Sequence, residues 1–134
     1  ENRIIELRTK LDQTPNRLLA LVGIKNHKNI EVQIAKCDLA IGTPGMSTWE
    51  RACLGIPSIQ IGTTEYHDDI MSKLDYYGIC KWLGHTRNLK DAKFIEICNN
   101  FFTDTKGLKK MKDICLRTVD GKGLERIYEI IMNS

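Results

Sequence analysis

The chain is short of most features that would assign it to a class at sight. Basic residues exceed acidic ones only by 20 to 17, for a net charge of +3, too small an excess to argue for a nucleic acid or a membrane surface as partner. No apolar run approaches the roughly 18 residues of a transmembrane helix, and no secretory signal is visible. Cysteine is present five times, but Cys37, Cys53, Cys80, Cys98 and Cys115 are odd in number and widely spaced. No C-x-x-C pair or Cys/His cluster exists, which argues against zinc and against a disulfide framework. Most sit beside apolar residues, as buried thiols do, and a cytoplasmic location is expected. There is no internal repeat, no low-complexity tract and no domain linker. Neither a G-x-G-x-x-G fingerprint nor a Walker loop occurs. No cofactor is expected, and no carboxylate pair suits a metal.

What remains is an ordinary globular composition, 42% hydrophobic and 28% charged over 134 residues, enough for one domain with a real core. The densest basic run, "KGLKKMKD" at 106–113, reads as a solvated helix face. "ENRIIELRTKL" opens without a methionine and already in a helical pattern, so a fragment of a longer protein is expected.

Periodicity predicts alternating elements. Ile4, Ile5, Leu7 and Leu11 make a helical face that breaks at Pro15. "RLLALVGI" (17–24) is a short buried strand, and "NIEVQIAK" (29–36) a helix. "DLAIG" (38–42) and "PSIQIG" (57–62) are further strands around a helix over 47–55. A helix over 68–78 leads to a shorter strand over 79–84. Three helices follow, over 89–102, 108–119 and 123–133. This order predicts an α/β domain: a Rossmann-like parallel sheet of about four strands with helices on both faces. Ligands bind such sheets at the carboxyl ends of the strands, which places residues 23–26, 42–47 and 62–68 on one rim.

The most informative stretch is "IGTPGMSTWERACLGIP", residues 41–57. A strand ending in a Gly/Pro turn that feeds a helix leaves the first helical N–H groups without intrahelical partners, and the helix dipole adds positive character there. That combination suits a phosphate or diphosphate. Gly45 admits close approach of a ligand to the backbone, and Ser47 and Thr48 add hydroxyls. Glu50, one turn in, suits a vicinal diol such as a ribose. The same pattern also fits a helix that caps itself, with Ser47 as N-cap and Glu50 at the third position. Trp49 reads as packing against a neighbouring layer, with base stacking as the alternative. Arg51 reads as a surface ion pair, with a phosphate counter-charge as the alternative. His67, beside Asp68 and Asp69, lies on the rim as a candidate ligand contact. His27 and His85 read as surface residues, and Cys53 as core.

The block "CDLAIGTPGMSTWERACLGIPSIQI", with the tail "VDGKGLERIYEII", resembles the C-terminal domain of the UDP-sugar hydrolases of pseudaminic acid biosynthesis. These are relatives of the GT-B glycosyltransferase that makes lipid II. The similarity spans about residues 19–84 and the final helix, and Thr-Trp-Glu-Arg followed by Leu-Gly-Ile-Pro is its most specific part. It implies that residues 1–134 are the single nucleotide-sugar-binding domain of a two-domain GT-B-type enzyme whose N-terminal domain carries the catalytic histidine. No catalytic residue is assigned to this chain. The resemblance implies UDP or a UDP-sugar as ligand, its diphosphate held by Thr43, Pro44, Gly45, Met46, Ser47 and Thr48. It further implies the ribose on Glu50, and the uracil near the backbone around Ile24. Two departures stand out. The family turn is usually Gly-Gly-Ser, whereas here it is Pro44-Gly45-Met46. Tyr66 and His67 stand where the family commonly has an Asn-Gln pair facing the sugar.

Overall fold

The structure, a computed structural model, describes residues 18–21 and 37–134. The expected helices near residues 4–13 and 29–36, the rim segment 23–26 with Ile24, and His27 lie outside the described residues. Of the strand expected over 17–24, the part described is β1, Leu18–Leu21. It pairs in parallel with β2 (Leu39–Gly42), β2 with β3 (Ser58–Gly62), and β3 with β4 (Lys81–His85), in the spatial order β1-β2-β3-β4. Parallel pairing forces a crossover between successive strands. Helix α1 (Met46–Cys53) joins β2 to β3, and α2 (Asp68–Tyr76), preceded by a 3₁₀ turn at Glu65–His67, joins β3 to β4. Three helices close the chain: α3 (Asp91–Thr103), α4 (Thr105–Thr118) and α5 (Gly123–Met132). The expected α/β class with a parallel sheet is therefore what the chain forms.

Side-chain alternation divides the sheet into two unlike faces. Leu39 and Ile41 of β2 and Ile59 of β3 point toward α3. There they pack with Phe94, Cys98 and Phe102, which fall four residues apart on that helix. All six are at most 4% exposed. The intervening residues, Ala40, Gly42, Ser58 and Gln60, face α1 on the other side. A second cluster forms beyond them, where Ala52 of α1, Cys115 of α4 and Ile79 meet, supported by Leu74, Met111 and Ile114.

Two boundaries moved for local reasons. Helix α4 starts three residues before its apolar periodicity, because Asp104 is its N-cap and accepts a hydrogen bond from the Gly107 N–H at 3.1 Å. Helix α1 ends at Cys53, where the N–H groups of Gly55 and Ile56 return to the carbonyls of Ala52 and Arg51, the paired closure of a Schellman motif. The last helix, α5, carries Leu124, Ile127, Tyr128, Ile130 and Ile131 on its surface, each more than half exposed. No described helix is long and apolar enough to cross a membrane.

Candidate functional site

Strand β2 ends at Gly42, and Thr43, Pro44 and Gly45 turn the chain into α1. Gly45 is the N-cap, at φ 148° and ψ −159°. That region is essentially closed to residues with a Cβ, so glycine is required by conformation. Among the described residues, nothing lies within 4 Å of where a Cβ would stand.

The N-cap assignment corrects the expectation for Ser47, which sits at the second helical position and does not cap the helix. Thr48 takes that work from three residues further on. Its N–H donates to the Gly45 carbonyl at 3.1 Å, and its Oγ1 accepts the Gly45 N–H at 3.3 Å. The same hydroxyl donates to Gln60 Oε1 at 2.8 Å, and Gln60 Nε2 donates to Ser58 Oγ at 3.2 Å. Thr48, Ser58 and Gln60 are all buried. This chain of bonds fixes the turn to β3 across twelve residues of sequence, and it commits the Thr48 hydroxyl inward. Pro44 has no N–H to offer. Among the described residues, the helix-start donors without a partner are the N–H groups of Met46 and Ser47 and the Ser47 hydroxyl; Met46 is 78% exposed and Ser47 half-buried.

Arg51 departs furthest from expectation. It is a buried residue, 2% exposed, and takes part in no ion pair among the described residues. Its Nη2 donates to the Thr43 carbonyl at 3.1 Å. Its Nη1 would stand 2.6 Å from a Cβ on Gly42, so the absence of a side chain there lets the guanidinium lie flat on the strand. Burial lowers its pKa from the ordinary guanidinium value.

Facing the turn across a cleft of about 120 Å³ is the start of α2. Pro44, Gly45, Thr48 and Trp49 line one wall, and His67, Ile70, Met71 and Leu74 the other. The tertiary structure thus brings His67, the N-cap of α2, to the Gly45 turn. Glu50 is half-buried and lines a different hollow, with Trp49, Cys53, Leu54, Val119 and Gly121. Trp49 borders both spaces and is 38% exposed. Tyr66 is almost wholly exposed.

His85 is a further correction. It is buried, at the carboxyl end of β4, and its Nε2 lies 3.2 Å from Asp68 Oδ1. Beside this pair, Arg87 binds Glu65. The two pairs tie the segment after β3 to the end of β4 and to the turn that follows it, beside the wall of the cleft that carries His67. Asp68 and Asp69 fall in the first turn of α2, where the dipole favours them. Among the described residues no group of three or more His, Cys, Asp or Glu side chains is placed to hold a metal ion.

Sequence reasoning passed over Gln60 and Ser58, and it placed Arg51 and His85 at the surface, where the structure buries both. A signal existed for the first two: in "PSIQIG" they alternate with Ile59 and Ile61, the period of a strand with unlike faces. Residue type concealed the other two, since arginine and histidine are seldom buried. No protein-family model matches the chain, and no curated protein does.

Proposed function

We propose that this chain is the UDP-sugar-binding half of a GT-B-like hydrolase that releases UDP from an amino-sugar donor. The reading rests on the strand–turn–helix junction at 41–48. A parallel strand delivers its carboxyl end to a glycine held in a glycine-only conformation, and the helix start beyond it retains N–H donors. Such a junction receives phosphate through those donors and the helix dipole. In this reading the diphosphate lies over residues 43–48, held by the Met46 and Ser47 N–H groups and the Ser47 hydroxyl, with Thr48 fixing the turn from within. Trp49 lines both neighbouring hollows, Glu50 one and His67 the other; in this reading Glu50 takes the ribose and His67 the sugar. The uracil falls to the segment around Ile24. Charge developing on the departing UDP would be taken up by the same donors, while activation of water belongs to a second domain. A glycosyltransferase donor domain would use the same contacts with an acceptor hydroxyl in place of water.

One observation favours a non-catalytic binding module on the same fold instead. Pro44 has no N–H and the Thr48 hydroxyl is committed inward to Gln60, so the turn offers a diphosphate fewer donors.

Titration with UDP, followed by calorimetry or amide chemical shifts, tests the reading. Shifts are expected at residues 42–50 and 62–68, with loss of binding in Gly45→Val and weakening in Glu50→Ala. No binding at millimolar UDP would eliminate both enzyme-derived readings. Shifts confined to other segments would eliminate the site.

A further inference from the structure

Arg51 presents an imbalance that the proposed site resolves. Its Nε is buried without an acceptor, its Nη2 has only the Thr43 carbonyl, and no carboxylate is within ion-pair distance of it among the described residues. A buried guanidinium without a counter-charge is strongly unfavourable. Among the described neighbours none forms an ion pair with it. Cys80 would help as a thiolate, but burial pushes its thiol up to about 12, so it is neutral at pH 7. The Glu50 carboxylate, adjacent on the helix, attracts the guanidinium without forming an ion pair, and burial outweighs it.

The position of the charge is informative. The guanidinium lies against Gly42 and Thr43, the first two residues of the same turn whose far end leads into the Met46 and Ser47 donors. Its cation is therefore bonded to the backbone of the same turn that leads into those donors.

We infer that Arg51 is the buried charge complement of an anion bound at the 43–47 turn, a positioning residue for a diphosphate-bearing ligand. The inference rests on the site proposed above and adds to it the group that sets its affinity for charge. Arg51 acts in two ways. It holds the Thr43 carbonyl inward, so that the turn presents N–H groups and not a C=O to the ligand. It also places a positive charge in a poorly solvated region, where Coulombic attraction is weakly screened. Among the described residues the cation has no carboxylate in ion-pair contact, and a bound anion would supply one.

A structural arginine would behave in the opposite way on substitution, which makes the inference testable. Titrate the chain with inorganic pyrophosphate, UDP and uridine by calorimetry, and compare Arg51→Gln, Arg51→Lys and Arg51→Met. Gln keeps an N–H donor for Thr43 and removes the charge; Lys keeps the charge. Arg51→Gln is expected to weaken pyrophosphate and UDP by about tenfold or more, as loss of one poorly solvated charge interaction should, while uridine is unaffected. Arg51→Lys recovers most of that loss. In the absence of ligand, Arg51→Met melts at the same temperature as the parent chain or higher, because an unpaired buried charge has been replaced by an apolar side chain. If Arg51→Met does not fold, the Gln and Lys titrations decide alone. Parent binding to UDP with unchanged pyrophosphate and UDP affinity in Arg51→Gln overturns the role of Arg51 and leaves the site standing. A parent chain that binds neither pyrophosphate nor UDP overturns both.

Discussion

The two faces of the sheet are built from the same strands and follow opposite rules. Toward α3, Leu39, Ile41 and Ile59 meet Phe94, Cys98 and Phe102 in a dry apolar layer. Toward α1, Gln60 accepts from the Thr48 hydroxyl and donates to Ser58, and the buried Arg51 donates to the Thr43 carbonyl. The apolar face gains stability roughly in proportion to area removed from water. On the polar face each bond replaces one that water would have made, so its net contribution is small, but breaking one leaves an orphan inside. The contrast teaches where function is to be sought. The α3 face holds the fold together, and the α1 face shapes the turn that carries the candidate site.

The sharpest way to separate the faces is Phe94→Ala. It should cost about 3–5 kcal/mol in urea denaturation, the usual range for truncating a buried phenylalanine, with UDP affinity per folded molecule unchanged. A comparable loss of affinity would show that the faces are not independent.

Thr48→Val tests the polar face. It keeps the shape and strands both the Gly45 N–H and Gln60 Oε1, so a loss of about 1–3 kcal/mol is expected. Here binding should fall as well, because the turn loses its tie to β3. Full affinity in a destabilised Thr48→Val would show that the turn holds its shape without that tie.

Alkaline titration probes the thiols buried on each side. Burial pushes Cys98 up to about 12 and Cys115 up to about 11, from 9.0. The folded state holds these protons more tightly than the unfolded chain. Their contribution is therefore complete below pH 9 and is lost as pH rises from 9 toward 12. At pH 10 each thiol should account for roughly 1 kcal/mol of lost stability. Cys98→Ala should remove its share of that loss, visible as a shallower fall in denaturation midpoint between pH 8 and pH 10.

Asp68→Asn has the smallest expected effect. The Asp68 side chain is 50% exposed, and pairs open to solvent contribute about 0–1 kcal/mol. Its consequence should appear in the cleft instead, as shifted amide resonances at residues 65–68 and 85–87. Unmoved resonances there would refute the tie between the two loops.

Much of the fold was legible in the sequence because it depends on local pattern. Strands β2 and β3, and helices α1 to α5, stand within a few residues of where periodicity and breakers put them. The Gly/Pro turn at 42–45 was legible too, since few residues other than glycine and proline make such a corner. Asp104 was missed as a cap, although Asp before a helix is an ordinary signal, because the apolar periodicity begins only at Leu108.

The sequence by itself determined the order of elements and a turn that only glycine at position 45 can make. Tertiary structure decided the chemistry around that turn. Thr48 fixes it because parallel register sets Gln60 of β3 beside Gly42 of β2, and His67 faces it because the crossover returns α2 to the same edge. Arg51 is buried because Gly42 leaves room above the strand for a guanidinium. Each of these joins residues nine to twenty-two positions apart. Local propensity carries no information about such pairs; strand register and the packing of helices on a sheet do.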